Sequence, residues 1–148
     1  MTVNGKLIRV KIWDTAGQEQ YKSLTKNFYR NSDGVIIVYD ISERSTFEKV
    51  QEWIQSIEDF ISNERNIQKI LVGNKIDLPR QVLKEEGEKL AASKNMPFFE
   101  VSAKENIGID AFMQKIIEDV VNNTTATKGG VNLNEADTSD SGRKTCGC

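Results

Sequence analysis

Apolar residues with two different spacings alternate along this sequence, and this alternation limits the fold more than any other feature of the chain. Residues 35–40 (VIIVYD) and 69–74 (KILVGN) are nearly continuous apolar runs, as in strands that are buried on both faces. Residues 6–13 (KLIRVKIW) alternate apolar and polar side chains, which predicts a half-exposed or edge strand. Residues 98–103 (FFEVSA) predict a fourth strand.

Apolar side chains at spacings of three and four residues predict helices between these strands. One such stripe consists of Phe47, Val50, Ile54, Ile57 and Ile61. Ser45 and Glu48 are predicted to form a capping box at its start. A second stripe consists of Ile109, Phe112, Met113, Ile116, Ile117 and Val120, and a weaker helix is predicted around residues 82–94. This order of elements predicts an α/β domain with a mostly parallel sheet and right-handed crossovers.

Composition divides the chain into one domain and a tail. The 148 residues, of which 38% are hydrophobic, are enough for a single core. From Asn122 onward the sequence is rich in Asn, Thr, Ser, Gly and charge, and Val131 and Leu133 are its only large apolar residues. Such a segment buries too little surface to offset its ordering entropy. We therefore predict a domain over residues 1–121 and a flexible tail over 122–148.

Composition also excludes several classes of function. The formal net charge of −2, without a long Lys/Arg run, argues against a nucleic-acid partner. No apolar stretch approaches the roughly 20 residues that span a bilayer, and the N-terminus has no secretory signal, so we expect a cytosolic chain. The absence of histidine excludes a Cys/His metal site and a His-dependent triad. Carboxylate, amide, hydroxyl and backbone groups remain for chemistry.

Three polar clusters directly follow predicted strands. They are residues 14–19 (DTAGQE), 74–77 (NKID) and 102–104 (SAK). In an open parallel sheet, ligands bind beyond the carboxyl ends of the strands, so the three loops are expected to meet at one edge. Each cluster alone also fits an ordinary capped loop with solvated charges, and it is their joint occurrence in this order that indicates a site.

With these clusters, four further stretches carry a family resemblance: residues 11–21 (KIWDTAGQEQY), 28–30 (FYR), 38–42 (VYDIS) and the terminal CGC. Over about residues 3–121 the chain resembles a Rab-type small GTPase of the Ras superfamily. The resemblance implies a three-layer domain of the P-loop NTPase type. It also implies binding of GTP and GDP, GTP hydrolysis, and a role as a molecular switch in intracellular vesicle trafficking.

The NKID and SAK clusters imply a pocket for the guanine base. The planar carboxylate of Asp77 can accept two parallel donors, from guanine N1–H and the exocyclic amine, a pair that adenine does not offer. Asn74 can bond the acceptor edge of the base, and the Lys75 stem can lie over the ring. The Ala103 backbone N–H can bond the guanine carbonyl oxygen, and the resemblance places Ser102 and Lys104 in the same pocket.

The DTAGQE cluster implies the phosphate side of the site. The resemblance gives Asp14 a role in binding Mg²⁺ through water, Gly17 a backbone contact to the γ-phosphate, and Gln18 the orientation of the attacking water. Around it, Trp13, Tyr21 and Phe28 are expected to form an aromatic surface for effectors. Half-buried packing of Trp13 and Phe28 is an equally good reading, and Phe28 stands where the family usually has tyrosine.

The terminal cysteines, Cys146 and Cys148, match the doubly prenylated ending of Rab proteins rather than a C-a-a-X box. Two lipid chains give a stable membrane anchor where one gives only reversible binding. The resemblance therefore implies prenylation escort and carrier proteins, an exchange factor, an activating protein and effectors as partners. It also implies a location on the cytoplasmic face of intracellular membranes, with a carrier-bound cytosolic pool.

The sequence contains no phosphate-binding G-x-x-x-x-G-K-[ST] motif and no switch I threonine upstream of Asp14. In the family, the strand before that motif lies between the equivalents of residues 6–13 and 35–40, so the domain is expected to be N-terminally truncated, with an open sheet edge. One reading is an incomplete sequence with Met1 internal, lacking at least about 30 residues. The alternatives are a non-catalytic, prenylated Rab-like binding protein that uses Trp13 and Phe28, or a pseudogene product that never folds.

Overall fold

A computed structural model describes residues 2–3, 5–14, 32–60 and 67–127. In chain order, the elements in these ranges are β1 (Thr2–Val3), β2 (Lys6–Leu7), β3 (Gly34–Asp40), α1 (Arg44–Glu48), α2 (Val50–Phe60), β4 (Gln68–Asn74), α3 (Lys84–Ser93), β5 (Phe98–Glu100) and α4 (Ile109–Thr127).

Strands β3, β4 and β5 form one parallel sheet in that order, which confirms the α/β prediction. β3 and β4 pair along their full length, from Gly34 opposite Gln68 to Asp40 opposite Asn74. β5 is shorter than predicted, because the chain leaves the ladder after Val101 and Ser102 forms an antiparallel bridge with Ile107 instead. The carboxyl ends of all three strands therefore lie at one edge.

The strand predicted over residues 6–13 is largely wrong. Of these residues only Lys6–Leu7 forms a strand, as half of a short antiparallel hairpin with Thr2–Val3. Residues 8–14 form no strand, and Val10 and Ile12 are 40% and 66% exposed. Alternation shows that one face is apolar, but a strand also forms backbone hydrogen bonds with a neighbouring strand, and no described strand pairs with residues 8–14.

Two apolar cores cover the two faces of the sheet and give the predicted three layers. Because side chains alternate along a strand, Ile37, Tyr39 and Leu71 face α2 and α3, whereas Ile70 and Val72 face α4. From the helices, Ile54 and Ile57 are fully buried on the first face, and Phe112 and Ile116 are buried on the second. Full burial of a side chain of this kind contributes about 1.5–3 kcal/mol.

The first predicted helix is divided at Lys49 into α1 and α2, and its predicted capping box is wrong. Glu43 is the N-cap residue, Ser45 lies inside the helix, and the Glu48 carboxylate pairs with Arg44 at 3.7 Å. The physical reason lies in Thr46. Its hydroxyl accepts the Asp40 N–H and donates to the Glu43 carbonyl, which ties the start of α1 to the end of β3.

The weaker helix predicted around residues 82–94 is α3, and the stripe from Ile109 to Val120 lies in α4. Helix α4 continues to Thr127, beyond the domain boundary predicted at residue 121. The polar composition from Asn122 onward did not predict this extension, because each residue added to an existing helix gains one backbone hydrogen bond without a new nucleation cost. The flexible tail otherwise stays a prediction, since 128–148 lie outside the described residues, as does Ile61. Among the described helices, none has the length and apolarity to cross a membrane.

Gly87 in α3 provides a test of this packing. A Cβ at this position would lie 2.5 Å from Phe98 Cζ and 2.6 Å from the Tyr39 hydroxyl oxygen. Gly87→Ala is therefore expected to lower the free energy of unfolding by about 1–3 kcal/mol, as overpacking does. At an exposed helix position the same change would stabilise by about 1 kcal/mol. Urea denaturation measures whether the free energy of unfolding falls or rises, and a rise in Gly87→Ala would contradict the packing. Ala92→Gly, at an exposed position of the same helix, is the control for helix propensity.

Candidate functional site

The ends of β3, β4 and β5 are joined by backbone hydrogen bonds into one polar rim. The Ile41 N–H donates to the Asn74 carbonyl at 3.0 Å, which links the β3 and β4 ends. The Ile76 N–H donates to the Val101 carbonyl at 3.2 Å, which links the loop after β4 to the loop after β5. The structure thus brings together the clusters 74–77 and 102–104, as predicted.

Asp77 and Ser102 form the centre of this rim. The Ser102 hydroxyl donates to Asp77 Oδ1 at 2.6 Å, and Ser102 is completely buried. The Asp77 side chain is 13% exposed, and Lys104 Nζ lies 4.0 Å from Oδ2. The hydrogen bond from Ser102, with help from Lys104 and Lys75, lowers the pKa of Asp77 below its ordinary value. Asp77 is therefore ionised at neutral pH, and it has acceptor capacity beyond the one bond from Ser102.

Asn74 joins the two loops through its side chain. Its Oδ1 accepts the Ala103 backbone N–H at 3.1 Å. The sequence predicted that this N–H bonds a guanine carbonyl oxygen, so a ligand would share the donor with Asn74 or displace the amide oxygen.

Lys75 lies on the same rim and has a backbone conformation that residues other than glycine seldom adopt. Its φ is 68°, in the left-handed region, which costs a residue other than glycine about 1 kcal/mol or more. Lys75 Nζ lies 2.6 Å from Asp40 Oδ2, and this ion pair raises the pKa of Lys75. The left-handed turn and the ion pair together fix the direction in which this side chain leaves the backbone.

Asp40 and Ser42 belong to this rim but were missed as site residues. Asp40 Oδ1 accepts the Ser42 N–H at 2.8 Å and the Ser42 hydroxyl at 2.6 Å. The signal was present in the sequence: Asp40 ends a buried strand, as Asn74 does, and the two are directly opposite in the register. The sequence predicted Asp40 as the end of a strand and residues 38–42 as a family marker, but not as part of the site.

The Asp40 carboxylate should make stability depend on pH. Burial raises its pKa, but hydrogen bonds from Lys75 and Ser42 outweigh burial, and the pKa lies below the ordinary value of 3.8. A lowered folded-state pKa contributes stability that is complete above pH 3.8 and lost as pH falls through the folded value. Asp40→Asn should therefore cost about 1 kcal/mol at pH 7 and less at pH 3, by urea denaturation. A cost that is equal at both pH values would contradict the ion pair; exposed Asp59→Asn is the control.

The remaining predicted residues are not brought to this rim within the described ranges. Trp13 is 54% exposed, Lys11 Nζ lies 3.9 Å from its ring centroid, and both line a groove with Asp14 that includes no residue of 74–77 or 102–104. The described residues contain no group of three or more potential metal ligands, and Asp14 is a single exposed carboxylate. Binding of Mg²⁺ by Asp14 through water needs no such group and stays a prediction of the resemblance. Gly17, Gln18, Tyr21, Phe28, Cys146 and Cys148 lie outside the described residues.

The groove is an apolar cavity of about 900 Å³ along the edge of β3 that faces away from β4. Residues 8–14 form one wall, and side chains of α2 and α4 flank it. Val38, in the middle of β3, is 56% exposed there. Among the described strands, only β4 pairs with β3. Its apolar lining distinguishes the groove from the polar rim.

Comparisons with known proteins identify the family of the chain. The model of the Ras family matches residues 1–122. Ras-related protein Rab-18 of Caenorhabditis elegans is 38% identical over 152 residues, which cover all of this chain and 74% of the relative. Rab-18 of Caenorhabditis briggsae is 42% identical and Rab-13 of Mesocricetus auratus is 38% identical, over 82% and 86% of this chain.

The chain spans 60% and 63% of the length of these last two relatives. The family match covers both clusters of the rim and the residues 14–19 that precede β3. The chain belongs to the Ras family, as a Rab-type small GTPase.

Proposed function

We propose that this chain binds guanine nucleotide, with the base recognised at the polar rim by Asp77. The main support for the proposal is the geometry of the Asp77 carboxylate. The Ser102 hydroxyl donates to its Oδ1 at 2.6 Å, and the Asp77 side chain remains 13% exposed. Guanine would donate N1–H and its exocyclic amine to the two oxygens. Adenine has an acceptor at N1 and no amine at C2, so it would leave the ionised carboxylate without donors.

The other rim residues would complete the pocket. The Asn74 amide group faces the same rim because its Oδ1 is oriented by Ala103, which leaves its N–H groups for the acceptor edge of a base. Lys104 Nζ, near Asp77 Oδ2, adds positive charge beside the pocket. An oriented, ionised hydrogen-bonding set of this kind discriminates strongly, because a wrong base leaves its groups unpaired.

The base preference can be tested without phosphate contacts. Purified full chain is titrated with guanosine, adenosine, GDP and ADP, and binding is followed by two-dimensional ¹⁵N–¹H NMR, which measures weak affinities. Guanosine should bind at least about tenfold more tightly than adenosine. Equal affinities for the two nucleosides, or no binding of either, would refute the guanine site.

We further propose that the nucleotide site serves a molecular switch in vesicle trafficking, the role that the family resemblance implies. GTP hydrolysis, with Gln18 orienting water and Gly17 contacting the γ-phosphate, remains a prediction from the resemblance. Prenylation at Cys146 and Cys148, with escort and carrier proteins, regulators and effectors as partners, remains a prediction of the same kind. The intact mass of the protein from its native cells would show two isoprenoid groups if the anchor is present.

A second function, a prenylated binding protein without nucleotide, is favoured by one observation. The apolar groove beside β3 is open, and Ile12 and Trp13 in its wall are 66% and 54% exposed. Such a surface suits a protein partner. The nucleoside titration discriminates the two functions, because only the guanine site predicts a preference between bases.

A further inference from the structure

The rim carries two carboxylates that are both candidates to bind the Lys75 ammonium. Asp40 Oδ2 lies 2.6 Å from Lys75 Nζ, and the Asp40 side chain is 12% exposed. Asp77 is two residues from Lys75 and acts on it electrostatically, as does Glu43. Among the described residues, the Lys75 ammonium forms its ion pair with Asp40 and not with Asp77.

Asp40 is itself held firmly. Ser42 donates two hydrogen bonds to Oδ1, which leaves Oδ2 directed to Lys75. Its backbone is fixed on both sides, because the Asp40 N–H donates to the Thr46 hydroxyl at 3.0 Å and Asp40 lies opposite Asn74 in the sheet. Asp40, which binds the ammonium, therefore lies at the hydrogen-bonded end of β3. Lys75, with a side chain 51% exposed, lies in the loop after β4.

We propose that Asp40 is a positioning residue of the guanine site: it holds the Lys75 ammonium at the end of β3, so that the Lys75 stem flanks the base and Asp77 remains available to it. This inference rests on the proposed guanine site. Without the Asp40 charge, the ammonium would be free to move to Asp77, whose carboxylate is the nearer of the alternatives in sequence. Lysine would then compete with the N1–H and amine donors of guanine for the same oxygens.

A double-mutant cycle tests this role directly. The affinity for GDP is measured by the same NMR titration for the full chain, Asp40→Asn, Lys75→Met and the double variant. Asp40→Asn retains an acceptor for Ser42 and removes the charge. Immobilising one long side chain accounts for about a two- to tenfold change in affinity, so Asp40→Asn should weaken GDP binding by that factor. In the Lys75→Met background, Asp40→Asn should change the affinity less than about twofold, because no ammonium remains to be positioned.

Two controls separate positioning from a structural role. Ser42→Ala removes a contact of Asp40 and leaves its charge, so the affinity for GDP should change less than in Asp40→Asn. Asp40→Glu keeps the charge and should recover most of the loss. If Asp40→Asn fails to fold by circular dichroism, the Asp40→Glu variant and the ¹⁵N resonance of Lys75 Nζ at varied pH still report whether the ion pair forms.

The outcomes are distinct. An equal loss of affinity in both backgrounds, or no loss in either, would overturn the positioning role while the guanine site stands. An original chain that does not prefer guanosine to adenosine would overturn the guanine site and the positioning role together. A Lys75 Nζ resonance that is the same in the original chain and in Asp40→Asn would overturn the ion pair on which the inference depends.

Discussion

Asp77→Asn should lower the affinity for guanosine by about 100-fold, the largest functional effect expected of any single change in the rim. The asparagine amide has one acceptor where the carboxylate has two, and its NH₂ group would face a donor of guanine. Ser102 can still donate to the remaining side-chain oxygen, so the fold should be affected little. The affinity is measured by NMR titration, with Asp59→Asn on the exposed side of α2 as the matched control.

The same variant should gain affinity for xanthosine. Xanthine has N1–H beside a carbonyl oxygen at C2, so an amide can accept from the first and donate to the second. A gain for xanthosine together with the loss for guanosine would exclude simple unfolding as the cause. If guanosine binds the variant and the original chain equally, Asp77 does not contact the base.

The second large effect concerns stability. Val72→Ala should lower the free energy of unfolding by about 2–3 kcal/mol, since it removes two buried carbon atoms and leaves a cavity. Val72 is 1% exposed and packs in the core beneath α4. Urea denaturation with an unchanged m-value would measure the loss.

Val38→Ala is the matched control for this prediction. Val38 lies directly opposite Val72 in the parallel register, so both side chains point to the same face, yet Val38 is 56% exposed. Val38→Ala should lower the free energy of unfolding by well under about 1 kcal/mol, apart from the loss of strand propensity, which is the same for both valines. A cost at Val38 equal to that at Val72 would show that the groove beside β3 is covered in solution, in contradiction to the open edge.

The sequence was sufficient for elements whose signal is local and strong. The runs at 35–40 and 69–74 became β3 and β4 within one residue, because strands buried on both faces need continuous apolar residues. The clusters 74–77 and 102–104 were predicted to meet at one edge and do so, since the strands that precede them are parallel. Asp40 and Ser42, at the end of β3, were not predicted as part of the rim. The stripe from Ile109 to Val120 likewise gave the face of α4 that packs on the sheet.

Features that depend on distant partners were beyond the sequence. Residues 6–13 alternate as a strand should, but pairing needs a neighbouring ladder that periodicity cannot supply. Ser45 and Glu48 match a capping box, but Thr46 contacts the end of β3 and places the cap at Glu43. The bond between Asp40 and Lys75 joins residues 35 positions apart in sequence, and only the register of β3 and β4 brings them together.

Residue-resolved NMR of the full chain with guanosine shows whether the loops after β4 and β5 bind a guanine base. We expect the largest shifts at the amides of Ala103, Lys104 and residues 74–77, and much smaller shifts with adenosine. Shifts confined to β3 residues such as Val38 and to residues 8–14, or equal shifts with both nucleosides, would contradict it.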